Sequence, residues 1–213
     1  LSSVAKVSGG EGIRIKPVGM HTKAEWTIQM SAIYSSLTRS NLTTAYLSNG
    51  TGGEFYTRIS STAGIQVKNG RDGDDTWTQI PLQAGKWLHI TYVHKDKKTT
   101  VYVNGKVQKV FENSAITFGE NSMIVVGNSG YRNDYLREIR LWDKALTESE
   151  INDYLYLPMD PATPHLISYL PLSKEMETKD LKAPAGTENV TTKARIEYVE
   201  NVKFPADELV IVN

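Results

Sequence analysis

The sequence predicts an all-β protein, an antiparallel sandwich of two sheets with one short helix. Short runs rich in Val, Ile, Thr, Tyr and Trp alternate with Gly, Asn, Asp and Ser, a pattern typical of strands separated by turns. Only one segment, which follows Thr147, has both the start signal and the apolar spacing of a helix. The chain has 213 residues, and all-β units often exceed about 200 residues. We therefore expect one domain over 1–213, with 158–213 as a C-terminal return segment that completes the sandwich.

The first half of the chain is expected to supply five strands. Trp26–Tyr34 alternates clearly, with Trp26, Ile28 and Met30 on one face and polar side chains on the other. Pro81 suits the end of the fifth strand, because proline cannot donate to a ladder. The other four predicted strands are Ile13–Val18, Glu54–Ser60, Gly64–Lys68 and Thr76–Ile80.

A three-stranded meander is predicted next. Trp87–His94 and Thr99–Val103 form its first hairpin, with Asp96, Lys97 and Lys98 at the turn. Asn104-Gly105 predicts a second, type I′ turn, because both central positions of that turn need a positive φ. Lys106–Phe111 would be the third strand.

The remaining elements include the helix. Thr147 and Glu150 form a capping-box pattern, and apolar residues recur at helical spacing from Ile151 onward. We expect a helix over Glu148–Tyr156 that ends before Pro158, since proline breaks a helix. The further predicted strands are Met123–Gly127, Tyr135–Trp142, His165–Leu172, Arg195–Val199 and Leu209–Val212.

Composition excludes several function classes. Lys and Arg number 24, as do Asp and Glu, so the net charge is zero; nucleic-acid binders and polybasic membrane-surface proteins usually carry a basic excess. The absence of cysteine removes disulfides, thiol nucleophiles and thiolate zinc sites. No apolar run is long enough to predict a transmembrane segment. The segment Leu1–Lys6 lacks the pattern of a signal peptide.

Several motifs together resemble one known superfamily. Gly85–Tyr92 (GKWLHITY) followed by Val101–Lys106 (VYVNGK) resembles the hairpin of the concanavalin A-like, laminin-G-like superfamily in its pentraxin-like bacterial branch. Three further segments match that family in the same order, and together the matches cover about 75–157. These segments are Ile124–Ser129, Asp134–Leu146 and Thr147–Tyr154.

The resemblance implies a jelly roll of two antiparallel sheets. One motif departs from the family, because a strand that usually comes early is found late, at Leu166–Leu172, with Leu170 in place of tryptophan. This late placement is similar to that in surface and periplasmic proteins of Bacteroidota. It implies an exported protein of the bacterial surface or periplasm. It names no ligand, because this scaffold serves many functions.

An enzyme is the least favoured of three functions. Glycan hydrolysis with retention needs two carboxyl groups about 5–5.5 Å apart, and no paired-carboxylate pattern on a strand occurs. Glu138 and Arg140 share one strand face, where an ion pair or a polar outer face is expected and a lyase-like active strand is the less favoured alternative. A non-catalytic glycan-binding module leads, and a structural module that contacts other surface proteins is the alternative. No catalytic residue is predicted.

One loop is a candidate for a metal site. Asp72, Asp74 and Asp75 lie close together in a glycine-flanked turn and could supply oxygens to Ca²⁺, a hard cation that takes six to eight of them. Laminin-G-like domains often bind Ca²⁺ at a rim. Asp and Gly are also ordinary turn residues, so a solvated turn is the competing interpretation.

The predicted glycan site combines aromatic and polar side chains. Trp77 and Tyr131 are the aromatic residues that the core pattern explains least, and sugar binding needs an aromatic platform with directional hydrogen-bonding groups. Arg132, Asn133 and Asp134 follow Tyr131, and Asn128 precedes it. We expect these groups to converge on one rim. Core packing of Trp77 and a merely polar loop at 131–134 are the alternatives.

Overall fold

The computed structural model describes residues 3–9, 12–18, 23–38, 43–48, 53–69, 76–112, 116, 118, 120–127, 132–200 and 202–203. These residues form fifteen strands and one helix. The elements are β1 (Val4–Ser8), β2 (Ile13–Ile15), β3 (Trp26–Ile33), β4 (Thr43–Ser48), β5 (Gly53–Ser60), β6 (Gly64–Asn69), β7 (Thr76–Trp77), β8 (Trp87–Lys95), β9 (Lys98–Val103), β10 (Lys106–Glu112), β11 (Met123–Val126), β12 (Arg132–Trp142), α1 (Glu148–Asp153), β13 (Leu166–Leu170), β14 (Val190–Thr192) and β15 (Arg195–Val199).

The strands make two antiparallel sheets, so the predicted sandwich is confirmed. The first sheet has eight strands in the order β10-β9-β8-β3-β12-β1-β15, with β13 also paired to β12. The second sheet has seven strands in the order β14-β2-β11-β4-β5-β6-β7. Every pairing between the described strands is antiparallel.

The core lies between the two sheets and follows the period-two alternation of the strands. In β3, Trp26, Ile28 and Met30 are fully buried in the main core cluster. Phe55 from β5 packs edge-on against Trp26, with ring centroids 5.0 Å apart. His94 stacks on the other side of that indole at 5.0 Å. Aromatic pairs at such distances contribute beyond their buried area, which fixes the two sheets to one another at this point.

A bulge divides the central strand β12. The register against β3 shifts between Arg137 and Ile139, and Glu138 between them has a φ of 56°. On its other side, the early part of β12 pairs with β1 and the later part with β13. Since a bulge inserts one extra residue into a strand, the residues after it return to the alternation with Glu138 and Arg140 directed away from the core.

The C-terminal segment contributes to both sheets. β14 pairs with β2 in the second sheet, and β15 pairs with β1 in the first. β13 confirms the predicted strand in 165–172, and β15 confirms the one at Arg195–Val199. The predicted strand Leu209–Val212 lies outside the described residues.

The helix and several strands are shorter than predicted; β2, for example, covers only Ile13–Ile15 of the predicted Ile13–Val18. The capping box is present as expected, but α1 ends at Asp153 rather than at Tyr156. The Arg140 side chain accounts for this end, because its guanidinium donates to the carbonyl oxygens of Tyr154 and Leu157. β7 covers only the first part of the predicted Thr76–Ile80, since Gln79 has a φ of 60°.

Candidate functional site

The two outer faces of the sandwich are built differently. The outer face of the first sheet is covered by a second apolar cluster, which includes Ile151 of α1, Met159 and Tyr169. Trp142 belongs to this cluster and is 5% exposed. We call this surface the covered face.

Buried polar side chains in the covered face form hydrogen bonds and an ion pair with one another. The Trp142 indole donates to the Gln29 amide oxygen at 2.7 Å, and the Gln29 amide nitrogen donates to Thr91 Oγ1 at 3.3 Å. Arg140 and Glu138 form an ion pair at 2.6 Å with only 3% and 6% of their side chains exposed. The Tyr169 hydroxyl donates to the same carboxylate at 3.2 Å. The expected Glu138–Arg140 ion pair is therefore confirmed, and its contacts are structural.

His89 lies in the same covered face. Burial, followed by the nearby Arg140 guanidinium, lowers the pKa of His89 from 6.5 to about 3. The ring packs edge-on against Tyr156, with centroids 5.7 Å apart. Its backbone N–H donates to Asn104 Oδ1 at 2.9 Å. His89 is thus a neutral scaffold residue, as the family hairpin predicts.

The outer face of the second sheet, called here the open face, carries a row of outward side chains. Cross-strand pairing aligns Thr191 with Arg14, Arg14 with Val125, Val125 with Tyr46, and Tyr46 with Tyr56. Lys68 follows opposite Tyr56. None of these residues belongs to either apolar cluster. The row therefore crosses six neighbouring strands on one surface.

Two tyrosines and an arginine form the middle of the open face. The Tyr46 and Tyr56 rings are 5.9 Å apart and inclined by 30°. The Arg58 guanidinium lies over the Tyr56 ring at 5.2 Å from its centroid, a distance typical of a cation–π contact. All three side chains are partly exposed. Tyrosine rings in such a position offer apolar area together with a polar edge.

Gln66 and Trp77 extend this face to the edge of the sheet. Arg58 pairs with Gln66, and Gln66 pairs with Trp77 on the last strand, β7. Gln66 is 1% exposed, yet neither its amide oxygen nor its amide nitrogen has a hydrogen-bond partner among the described residues. The buried Nε of Arg58 likewise has no hydrogen-bond partner among the described residues. Buried polar groups normally have hydrogen-bond partners. The unpartnered atoms of Gln66 and Arg58 are therefore unusual and distinguish this part of the open face.

The predicted site residues fall on both sheets. Pairing with Gln66 places Trp77 on the open face, where it is partly buried. Arg132, Asn133 and Asp134 begin β12 in the first sheet. Arg132 and Asn133 are exposed, while Asp134 is 1% exposed.

Asp134 has a structural role. Its carboxylate accepts the backbone N–H of Ser35 at 2.7 Å and that of Arg132 at 2.9 Å. The structure thus gives no contact between Trp77 and the Arg132–Asp134 segment within the chain it describes. Asn128 and Tyr131 lie outside the described residues, and their part in a site stays a prediction.

The predicted calcium loop also lies outside the described residues, so Asp72, Asp74 and Asp75 remain a prediction. Within the described part of the chain, no group of three or more His, Asp or Glu side chains is arranged to hold a metal ion. Nor does any helix there have the length and apolar character needed to cross a membrane.

Four residues of the open face were not predicted as site residues: Tyr46, Tyr56, Arg58 and Gln66. A usable signal existed in β5, where Tyr56 and Arg58 alternate with the buried Phe55, Thr57 and Ile59. Alternation shows that such residues face away from the core. It does not show which neighbouring strands place Tyr46 and Gln66 beside them.

Comparison with known proteins identifies the family. The family model described as the Concanavalin A-like lectin/glucanases superfamily matches residues 8–152. The chain belongs to this superfamily. The resemblance predicted from the hairpin and helix motifs is thereby confirmed. No curated protein matches the chain.

Solved structures share the fold of this concanavalin A-like chain. A Bacteroides ovatus ATCC 8483 protein, for which carbohydrate binding has been proposed, is 19% identical with a TM-score of 0.69; the match covers 94% of this chain and 61% of that one. The chain thus spans 61% of the length of that protein. A heptameric SAP-like pentraxin from Limulus polyphemus is 12% identical with a TM-score of 0.61, over 92% of this chain and 94% of that one.

A third structure was solved with a bound oligosaccharide. Domain 4 of the extracellular arabinanase AbnA from Geobacillus stearothermophilus, in complex with arabinotriose, is 14% identical with a TM-score of 0.53. The match covers 70% of this chain and 86% of that domain. At these identities the likeness shows the fold, and function rests on the chain's own residues.

Proposed function

We propose that this chain is a non-catalytic glycan-binding module and that its open face is the binding surface. The observation that carries the proposal is the buried Gln66 amide between Arg58 and Trp77, which has no hydrogen-bond partner among the described residues. A glycan is polar at its hydroxyl groups and partly apolar on its ring faces. Tyr46, Tyr56 and Trp77 supply aromatic area for the ring faces, and Gln66 supplies a donor and an acceptor for hydroxyl groups.

The lectin fold supports this proposal. The superfamily of the chain includes lectins by its name, and one protein of the same fold was solved with arabinotriose. An exported location, at a bacterial cell surface or in the periplasm, is part of the proposal. The AbnA domain belongs to an enzyme described as extracellular, which agrees with this location.

Binding without cleavage is part of the proposal, and two carboxylates near the open face support it. Glu120 and Glu188 line a cavity at one end of it, and both are exposed. A glycosidase general acid needs an environment that keeps its carboxyl group protonated, usually burial against apolar groups. Incubation of the protein with each bound glycan should therefore release no shorter sugars.

The binding test begins with a glycan array and continues by calorimetry with the glycans that bind. Trp77→Ala and Tyr56→Ala should each weaken binding by roughly thirtyfold, about 2 kcal/mol, because an aromatic anchor is lost. Tyr154→Ala is the matched control, since Tyr154 is 48% exposed near the end of α1 on the opposite side. Unchanged affinity in both open-face variants would refute this location.

Tyr131→Ala tests the other predicted rim in the same experiment. A loss with Tyr131→Ala and none with Trp77→Ala or Tyr56→Ala would assign binding to Asn128, Tyr131, Arg132 and Asn133 instead. If no glycan binds on the array, the structural or protein-interaction alternative is favoured, with other surface proteins as partners.

Calcium is a separate part of the proposal. If Asp72, Asp74 and Asp75 bind Ca²⁺, the ion stabilises the folded state by mass action, by about 2.7 kcal/mol at 100 times the dissociation constant. Thermal unfolding with and without millimolar Ca²⁺ measures this effect. Asp74→Asn should abolish the shift, and Mg²⁺ at the same concentration is the control ion. No shift with Ca²⁺ leaves the segment as an ordinary turn.

A further inference from the structure

We propose that a cavity at the far edge of the open face is a second subsite, and that the face binds a linear oligosaccharide laid across its strands. This inference rests on the proposed glycan binding and specifies the class of glycan.

The cavity lies at the β2–β14 edge and has a volume of about 520 Å³. Its lining includes Arg14, Lys16, Met123, Asn189 and Thr191. Ligand pockets commonly measure about 300–1,000 Å³, so the cavity has the size to hold one or two sugar units. Its lining combines the apolar Met123 side chain with several hydrogen-bonding groups, as sugar binding needs.

Two distant chain segments build this cavity. The Lys16 backbone N–H donates to the Asn189 carbonyl oxygen at 2.8 Å, and the Asn189 side chain donates to Asp180 Oδ2 at 2.8 Å. Asp180 is 3% exposed and also accepts the backbone N–H of Tyr169 at 2.9 Å. A buried carboxylate therefore anchors the wall formed by Asn189. The cavity is part of the folded scaffold.

The cavity lies on the same face of the sheet as the aromatic middle of the open face. Arg14 lines the cavity and is also the second residue of the row that continues through Val125 and Tyr46 to Tyr56. Trp77 lies at the opposite edge of the sheet, on β7. Neighbouring strands are about 4.8 Å apart, so the five intervals from β2 to β7 span about 24 Å. That length exceeds one sugar ring and suits a chain of several units.

The arrangement along this line is ordered. Trp77 with the unpartnered Gln66 amide lies at one end, the Tyr46–Tyr56 pair in the middle, and the cavity at the other end. A linear oligosaccharide repeats apolar ring faces and polar hydroxyl groups at regular intervals. It can therefore contact all three places at once, whereas a monosaccharide contacts one.

Affinity as a function of chain length tests the inference. Calorimetry would use arabino-, xylo-, cello- and manno-oligosaccharides of one to six units with the whole chain. In the series that binds, affinity should rise by about tenfold or more from two units to five and then level off. Equal affinity for the disaccharide and the pentasaccharide would overturn the extended site.

A blocking variant separates the cavity from the rest of the face. Thr191 is exposed, so Thr191→Trp should fold while its indole fills the cavity. It should remove the gain between two and five units and leave the disaccharide affinity unchanged. Lys193→Trp, at an exposed position next to β14 that does not line the cavity, is the matched control. A full length dependence in Thr191→Trp, with its melting temperature intact, would overturn the cavity subsite.

The outcomes distinguish this inference from the proposed function. Binding that ignores chain length refutes the extended site alone. Absence of binding to any glycan on the array and in the four series refutes glycan binding itself, and the extended site with it.

Discussion

The two outer faces of this sandwich use the same kinds of side chain for opposite purposes. Each face has a glutamine and an arginine on neighbouring strands, both largely or partly buried. In the covered face, Gln29 and Arg140 are bonded to Trp142 and Glu138 beneath the helix. In the open face, both amide atoms of Gln66 have no partner among the described residues, whereas the buried Nε lacks one in Arg58 and in Arg140 alike.

This difference leads to separate expectations for stability and for the proposed binding. Polar groups under a permanent cover must be bonded internally, because no water reaches them. Gln66 is buried on a face that no helix covers, and we propose that its amide bonds a ligand, at some cost to stability. The covered face should therefore be sensitive in unfolding experiments and the open face in binding experiments.

The largest contrast is expected between the two arginines. Arg140→Ala leaves the Glu138 carboxylate buried without its partner and removes two bonds to the carbonyls after α1. We expect it to lower the free energy of unfolding by about 3–5 kcal/mol. Arg58→Ala removes a partly exposed side chain and should cost about 1 kcal/mol or less. Denaturant unfolding of both variants measures the contrast, and equal losses would contradict it.

The second prediction concerns pH. The pKa of His89 is 6.5 in the unfolded chain and about 3 in the fold, so between these values the unfolded chain binds more protons. Stability is fully present above pH 6.5 and is lost as the pH falls, by about 1.4 kcal/mol per unit. None of the described outward side chains of the open face is a histidine, so this acid sensitivity belongs to the rest of the molecule.

A second buried histidine adds to the pH effect. Burial lowers the pKa of His94 to about 4. Its Nε2 accepts the Ile116 backbone N–H at 3.2 Å, and a proton on Nε2 would break that bond. Melting temperatures from pH 7 to pH 4 should therefore decline less steeply in His89→Gln than in the parent chain, and least in the variant that also carries His94→Gln. Parallel declines in all three would rule out the assignment to these two residues.

The smallest effect, and the sharpest comparison, is expected from the two glutamines. Gln29→Leu leaves the buried Trp142 N–H without an acceptor and should cost about 1–3 kcal/mol. Gln66→Leu removes an amide that has no described partner, so it should be neutral or slightly stabilising. Denaturant unfolding measures both.

Binding should reverse this order. Gln66→Leu should weaken any glycan that the array identifies, while Gln29→Leu, if it remains folded, should bind as the parent does. A destabilising Gln66→Leu with unchanged glycan affinity would show that the open face is an ordinary structural surface.

Local patterns along the sequence predicted most strands, because a strand with one buried face alternates visibly. β3, β8, β9 and β10 lie within one residue of the predicted bounds at each end. The Asn104-Gly105 turn has the two positive φ values that its type requires, 51° and 77°. The capping box of α1 is equally local, since four consecutive residues contain both of its bonds.

Three strands were not predicted, for physical reasons that differ. β1 and β14 are short and are held by strands that are distant in sequence: β1 pairs with β12 and β15, and β14 pairs with β2. β4 contains a bulge opposite Thr57, so its alternation is interrupted. Pairing partners distant in sequence leave no local pattern by which such strands could be recognised.

The sequence by itself determined the sandwich, its central hairpin, its capped helix and its superfamily, because each depends on neighbouring residues or on a run of motifs. Only the tertiary structure decided which of these polar residues have a hydrogen-bond partner among the described residues and which do not. Gln29 and Gln66 are alike in sequence terms, each flanked by apolar residues in a strand. The helix and the segment after it cover the outer face of the first sheet and leave that of the second sheet uncovered. This difference depends on contacts between residues that are distant in sequence, so local sequence patterns do not reveal it.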